Sequence, residues 1–180
     1  MLEARGFARE QGPTAVMRFE HEAGRQAVRA MSQALDGATR GDRACVEEFA
    51  RHAHDYVALL AYVERKEPHI DALQSMRLKV RDRRHVATCA EFGPRFLHST
   101  GQAYKGGPNT GVFLQITADD ADDLPIRGQK ASFGVIKTAQ ARGDFEVLTE
   151  RGRRALRVHL KGDLESGLRM LDEALADALS

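Results

Sequence analysis

Tyr56-Val-Ala-Leu-Leu-Ala-Tyr-Val63 is a continuous apolar run of strand length. It has no polar residue at alternate positions, so it reads as a strand covered on both faces, as in a parallel sheet. C-terminal to it, Glu67-Pro68 opens a helix with Pro68 tolerated in the first turn, and Ile70, Leu73, Met76 and Val80 make one apolar stripe. His85-Val-Ala-Thr-Cys-Ala90 then reads as a second strand. Strand, helix and strand in about forty residues is the length of a right-handed βαβ unit.

Further along, Gly111-Val-Phe-Leu-Gln-Ile-Thr117 is a third strand and Ala155-Leu-Arg-Val-His-Leu160 a fourth. Between them the pattern predicts two short helices. Ser132 caps the first, which carries Phe133, Ile136, Ala139 and Gln140 and ends at Gly143; Asp144 starts the second, with Phe145 and Leu148, ending at Gly152. Gly162-Asp163 caps a last helix whose Leu164, Leu168, Leu171 and Leu175 form a stripe. Gly-Asp opens a helix at 41, 143 and 162 in this reading, a reused cap and not an internal repeat. The expected fold is α/β: a mostly parallel sheet flanked by helices, in three layers.

N-terminal to the central run, Gly41-Asp42 caps a helix over 43–53 that carries Val46, Phe49, Ala50 and Ala53. Residues 41–180 thus form the α/β domain, and residues 1–40 a poorly defined N-terminal arm or helix. Within that arm Thr14-Ala-Val-Met-Arg-Phe19 is a candidate edge strand and Gly24 to Leu35 a candidate helix with Ala27, Val28, Met31 and Leu35 on one face. Glu20, His21 and Glu22 look like a metal cluster but read more simply as a solvated face.

Composition bounds the partners. A chain of 180 residues fits one domain, and Lys+Arg 27 against Asp+Glu 26 leaves a net charge of +1, so no global field draws it to nucleic acid or to a membrane surface. The basic face formed by Arg77, Lys79, Arg81, Arg83 and Arg84 reads as solvated. With no tryptophan, an aromatic platform for single-stranded nucleic acid is not supported. No apolar stretch approaches the ~20 residues a bilayer span needs. Cys45 and Cys89, without a Cys-x-x-Cys or a leader, point to a reduced, cytoplasmic protein, with Cys89 a small core residue. Asp119-Asp-Ala-Asp-Asp123 lacks the alternating ligands and glycine of an EF-hand and reads as a solvent loop; no metal or cofactor is implied.

The chemistry concentrates in Phe92-Gly-Pro-Arg-Phe-Leu-His-Ser-Thr-Gly-Gln-Ala-Tyr-Lys-Gly-Gly-Pro-Asn-Thr110, right after the second strand. Ligands of open α/β sheets sit at the carboxyl ends of the strands, so this is where a site is expected. Glycine lets backbone amides approach a ligand, and His98, Ser99, Thr100, Gln102 and Asn109 add oriented polar groups. Arg95 and Lys105 supply positive charge, which suits a phosphate or a polyhydroxylated anion. Neither a Gly-Lys-Ser/Thr phosphate loop nor Gly-x-Gly-x-x-Gly occurs, so a nucleotide is not indicated. Segments of this composition also serve as plain strand connections.

These residues carry a resemblance. Asp55-Tyr-Val-Ala-Leu-Leu-Ala-Tyr62, Gly93-Pro-Arg-Phe-Leu-His-Ser-Thr-Gly-Gln102, Lys105-Gly-Gly-Pro-Asn109, Phe113-Leu-Gln-Ile-Thr117 and Ser132-Phe-Gly-Val-Ile-Lys-Thr-Ala-Gln-Ala-Arg-Gly-Asp-Phe145 resemble the C-terminal end of the phosphoglucose isomerase half of bifunctional transaldolase/glucose-6-phosphate isomerase proteins. The resemblance covers about residues 54–160. It implies a sugar-isomerase-like parallel sheet, a sugar phosphate as ligand, and interconversion of glucose 6-phosphate and fructose 6-phosphate. That chemistry needs a general acid/base to open the ring, a carboxylate to shuttle a proton between C1 and C2, and cations or amides to steady the enediolate. The family's Ser-Thr-x-Gln-His stretch is matched by Ser99-Thr-Gly-Gln102, but Ala103 stands where the histidine would. His98 and Lys105 are the catalytic candidates, as substitute acid/base and as cation, though the motif itself assigns neither; Arg95, Ser99, Thr100, Gln102 and Asn109 are the substrate-binding candidates. The family's shuttle glutamate lies outside these residues, and Glu91 is the carboxylate nearest the loop, read as a strand-end residue. The expectation is a partial isomerase site completed by a homodimer or by a chain carrying the rest of the isomerase. The alternative is a noncatalytic sugar-phosphate-binding module.

Overall fold

The computed structural model describes the backbone of Ala15–Arg18 and residues 56–179. One sheet contains β1 (Ala15–Arg18), β2 (Tyr56–Tyr62), β3 (Ala87–Phe92), β4 (Gly111–Ala118) and β5 (Arg154–Leu160). The helices are α1 (Glu67–Arg84), α2 (Thr100–Gly106), α3 (Phe133–Glu150) and α4 (Leu164–Leu179), and a 3-10 turn spans Arg95–His98. Across the sheet the order is β1-β5-β4-β2-β3. β2 is parallel to β3 and β4, β4 is parallel to β5, and β1 runs antiparallel to β5 along one edge.

The apolar run explains its own position. Leu59 stands between Ala90 of β3 and Leu114 of β4, and successive side chains alternate between faces. Val57, Leu59 and Ala61, with Val112, Leu114 and Ile116, face a layer completed by Leu73, Met76 and Val80 of α1 and Leu168, Leu171 and Leu175 of α4. Ala58, Leu60, Tyr62 and Phe113 face the other layer, where Phe96, Leu97, Tyr104, Ala141 and Leu148 cover them. A strand buried on both faces has no solvent side to keep polar. The result is the three-layer, mostly parallel α/β fold that the sequence predicts. Between the two helices of the first layer, Asp172 of α4 accepts from Lys79 Nζ at 2.7 Å and from Ser75 Oγ at 3.2 Å. No helix among the described residues is long and apolar enough to cross a membrane.

Connectivity creates a switch point. The β2–α1–β3 crossover covers one face, whereas β3 returns through α2 on the opposite face to place β4 on the far side of β2. β2 and β4 are therefore neighbours whose connections leave in opposite directions, the arrangement at which open α/β sheets hold ligands beyond the carboxyl ends.

Several local features differ from expectation. The second strand begins at Ala87, because His85 closes α1 as a left-handed cap (φ 55, ψ 38) whose amide donates to Arg81 O at 2.8 Å. The two short helices expected after Ser132 are one continuous α3. Gly143 is interior to it, and Asp144 turns inward to Lys105 and Tyr62 where a capping side chain would turn back on its own amides. The long loop after β3 is largely ordered into the 3-10 turn and α2, since Phe96, Leu97 and Tyr104 are apolar anchors on the sheet. The edge strand expected within 14–19 is β1, whereas the helices expected over 24–35 and 43–53, the Glu20/His21/Glu22 cluster and Cys45 lie outside the described residues.

Candidate functional site at the carboxyl ends of the strands

The segment 93–106 enters at the carboxyl end of β3. Gly93 N donates to Ala61 O of β2 at 2.8 Å, and the Gly93–Pro94 peptide is cis. A Cβ at Gly93 would lie 2.5 Å from Cε1 of the buried Tyr62 ring, so only glycine fits there. The 3-10 turn follows, with Phe96 and Leu97 buried and Arg95 and His98 exposed. In a 3-10 turn residues three apart are stacked on one side, which puts the guanidinium and the imidazole on the same outward flank.

α2 then descends along the sheet. Tyr104 packs against Phe113 (ring centroids 5.3 Å apart) and Tyr56 (6.1 Å), and its hydroxyl donates to Glu91 Oε1 at 2.7 Å and meets Cys89 Sγ at 3.1 Å. Thr100 Oγ1 donates to the other Glu91 oxygen at 2.5 Å. Glu91 thus fastens α2 to β3 with both carboxylate oxygens, more than the strand-end role read from sequence. Burial raises the pKa of the Tyr104 hydroxyl and of the Cys89 thiol, so both stay protonated at neutral pH.

Several candidate side chains turn inward. Gln102 Nε2 donates to Leu97 O at 2.5 Å, and Ser99 Oγ to Phe96 O at 3.3 Å, tying the turn to α2. Lys105 Nζ donates to Asp144 Oδ1 at 2.9 Å, and Tyr62 OH donates to Asp144 Oδ2 at 3.4 Å. The Tyr62 hydroxyl is pushed far above its ordinary range, first by burial and then by the Asp144 charge. Asn109 is the outlier. It donates to Gly152 O at 3.1 Å and lies beside Thr110, whose carbonyl accepts from Tyr56 N at the opposite, amino end of β2. The structure therefore gathers Arg95, His98, Ser99, Thr100, Gln102 and Lys105 on one turn-and-helix unit and leaves Asn109 apart.

The segment between β4 and α3 leaves from the carboxyl end of the neighbouring strand. Asp123 Oδ1 accepts from Gly134 N at 2.7 Å, and Asp123 also accepts from Ser132 Oγ, which itself accepts from Val135 N at 3.2 Å. These donors hold the Asp123 carboxyl below its usual range, the Ser132 hydroxyl most of all. Asp120 pairs with Lys137, and Asp119 meets His159 Nε2 at 3.1 Å. Three of the four carboxylates in the acidic loop have such partners, and among the described residues no group of three His, Cys, Asp or Glu side chains could hold a metal ion.

Asp144 and Tyr62 are the residues that sequence reasoning misses. The available signal is weak: Tyr62 lies within an apolar run, and Asp144 follows a glycine, which favours reading it as a cap.

No family model and no curated protein matches the chain. Among solved structures, the crystal structure of a hypothetical protein from Thermus thermophilus is similar, with a TM-score of 0.63 and 17% identity over 88% of this chain and 44% of that one. The chain thus spans less than half the length of that protein, and the likeness is one of α/β fold alone.

Proposed function

We propose that the chain is a glucose-6-phosphate-isomerase-like domain that binds a phosphorylated sugar beyond the carboxyl ends of β2 and β3 and supplies part of an aldose–ketose isomerase site. The observation that carries this reading is the shared outward flank of Arg95 and His98 at the carboxyl edge of a parallel sheet whose connections switch direction at β2 and β4. The guanidinium suits a phosphate or enediolate oxygen, and the imidazole suits proton transfer during ring opening. Ser99 and Thr100 line the start of α2 beside them. Among the described residues the carboxylates bonded to this segment, Glu91 and Asp144, are both engaged by donors. The shuttle carboxylate then comes from a second copy or from a chain carrying the rest of the isomerase.

That engagement also favours a second reading, a sugar-phosphate-binding module without catalysis. One experiment separates the two. Melting of the purified chain is followed with millimolar fructose 6-phosphate, with fructose and inorganic phosphate as controls, and the same samples enter a coupled isomerase assay. A ligand at about 100 times its dissociation constant adds roughly 2.7 kcal/mol. Stabilisation with turnover, alone or after adding a chain that carries the missing half, supports the isomerase; stabilisation without turnover in either case supports the module. The absence of any shift contradicts both.

A further inference from the structure

We propose that Asp144 is a positioning residue that aims the Lys105 ammonium at the phosphate or oxyanion of the bound sugar. This rests on the sugar-phosphate reading of the 93–106 segment. The pair is nearly enclosed, with side-chain exposures of 16% for Lys105 and 3% for Asp144. Replacing an enclosed ion pair by apolar side chains of the same shape is often neutral or stabilising, so stability is a weak account of this one. Its geometry is a better one. One carboxylate oxygen takes the ammonium and the other the Tyr62 hydroxyl, and the Tyr62 ring is fixed by burial between the sheet and Gly93. The carboxylate therefore has a set orientation, anchored to β2.

The ammonium has donors to spare. Asp144 is the one acceptor it meets among the described residues, leaving two of its three N–H groups for a ligand or water. A helical side chain leans toward the N-terminus of its helix, so the Lys105 stem sweeps back toward the turn that carries Arg95 and His98. The backbone beneath it is also held: the buried Arg153 guanidinium donates to Lys105 O at 2.7 Å and to Gly107 O at 2.6 Å. The side chain is thus fixed at both its root and its tip.

The test compares affinity for fructose 6-phosphate and for inorganic phosphate in wild type, Asp144→Asn, Lys105→Met, Lys105→Arg and the double variant Lys105→Met/Asp144→Leu, each with its free melting temperature. The double variant removes both charges, and because it also leaves the buried Tyr62 hydroxyl without its acceptor it should melt below wild type yet stay folded. It should bind both anions at least about tenfold more weakly, since charge-assisted hydrogen bonds are lost. Asp144→Asn should lose about as much as the double variant, because the two side chains act as a unit. Lys105→Arg should retain most of the affinity. Anion affinity unchanged in the double variant, or in a folded Asp144→Asn, overturns the proposal. If Asp144→Asn does not fold, the double variant decides. A wild type that binds neither anion overturns the sugar-phosphate reading itself, and this proposal with it.

Discussion

At Gly93 the sheet leaves no room for a side chain, because the Tyr62 ring occupies the space a Cβ would need. Gly93→Ala should therefore cost about 1–3 kcal/mol through overpacking, read as a lower denaturant midpoint. Neither the glycine nor the tyrosine announces this pairing in sequence, since they lie at different strands' ends and meet only through the β2–β3 register. His85 is the reverse case. It adopts a left-handed conformation that an L side chain enters at a cost, so His85→Gly should raise stability by up to about 1 kcal/mol in urea titration. Cys89 is legible as a small core residue from the apolar run around it, and its partial burial agrees; its thiol contact with Tyr104 adds a test. Because burial pushes the thiol pKa up, alkylation of the folded protein at neutral pH should be far slower than of the unfolded chain, and equal rates would contradict the packing.

At the level of elements, period and length are enough for β2, α1, β4 and α4, whose stripes are their own signal. Capping chemistry is a reliable guide only where the cap's partner is local. Asp163 behaves as its sequence context predicts, accepting from Ser166 N at 2.9 Å at the start of α4. Gly143-Asp144 carries the same dipeptide but lies inside α3, because the partner that claims Asp144 is Lys105, 39 residues away. No local pattern contains that information. For the same reason the 92–110 stretch reads as open loop in sequence: Phe96, Leu97 and Tyr104 become anchors only once a sheet face exists to receive them. The caps have a pH consequence. Asp123 and Asp163 both have depressed folded pKa values, so their contribution is present above the unfolded value of about 4 and is lost as pH falls through the lower folded value. Asp163→Asn should therefore flatten the acid limb of the stability profile below the unfolded value of about 4, measured by urea unfolding.

For the whole molecule, one apolar run organises both layers, and its neighbour β4 is the strand that joins β2 to β5. Leu114 is fully buried at the centre, and Leu114→Ala should cost about 2–5 kcal/mol, a loss that falls on the entire cooperative unit. The alternation of strands and helices implies the parallel class but not the order β5-β4-β2-β3. Which strands are neighbours, and hence where the connections switch direction, depends on the crossover of α2 to the second face, which burial patterns along a single chain do not encode. The proposed function requires a phosphorylated sugar at the carboxyl end of this sheet, on the turn and helix 93–106. Amide and side-chain chemical shifts of the isotope-labelled chain titrated with fructose 6-phosphate test that placement. Binding there should give saturable shifts at Arg95, His98, Ser99, Thr100, Lys105 and Tyr62, with Asn109 and Thr110 unmoved. Shifts confined to Asn109, Thr110 and Gly152 at the amino end, or none at all, would contradict it.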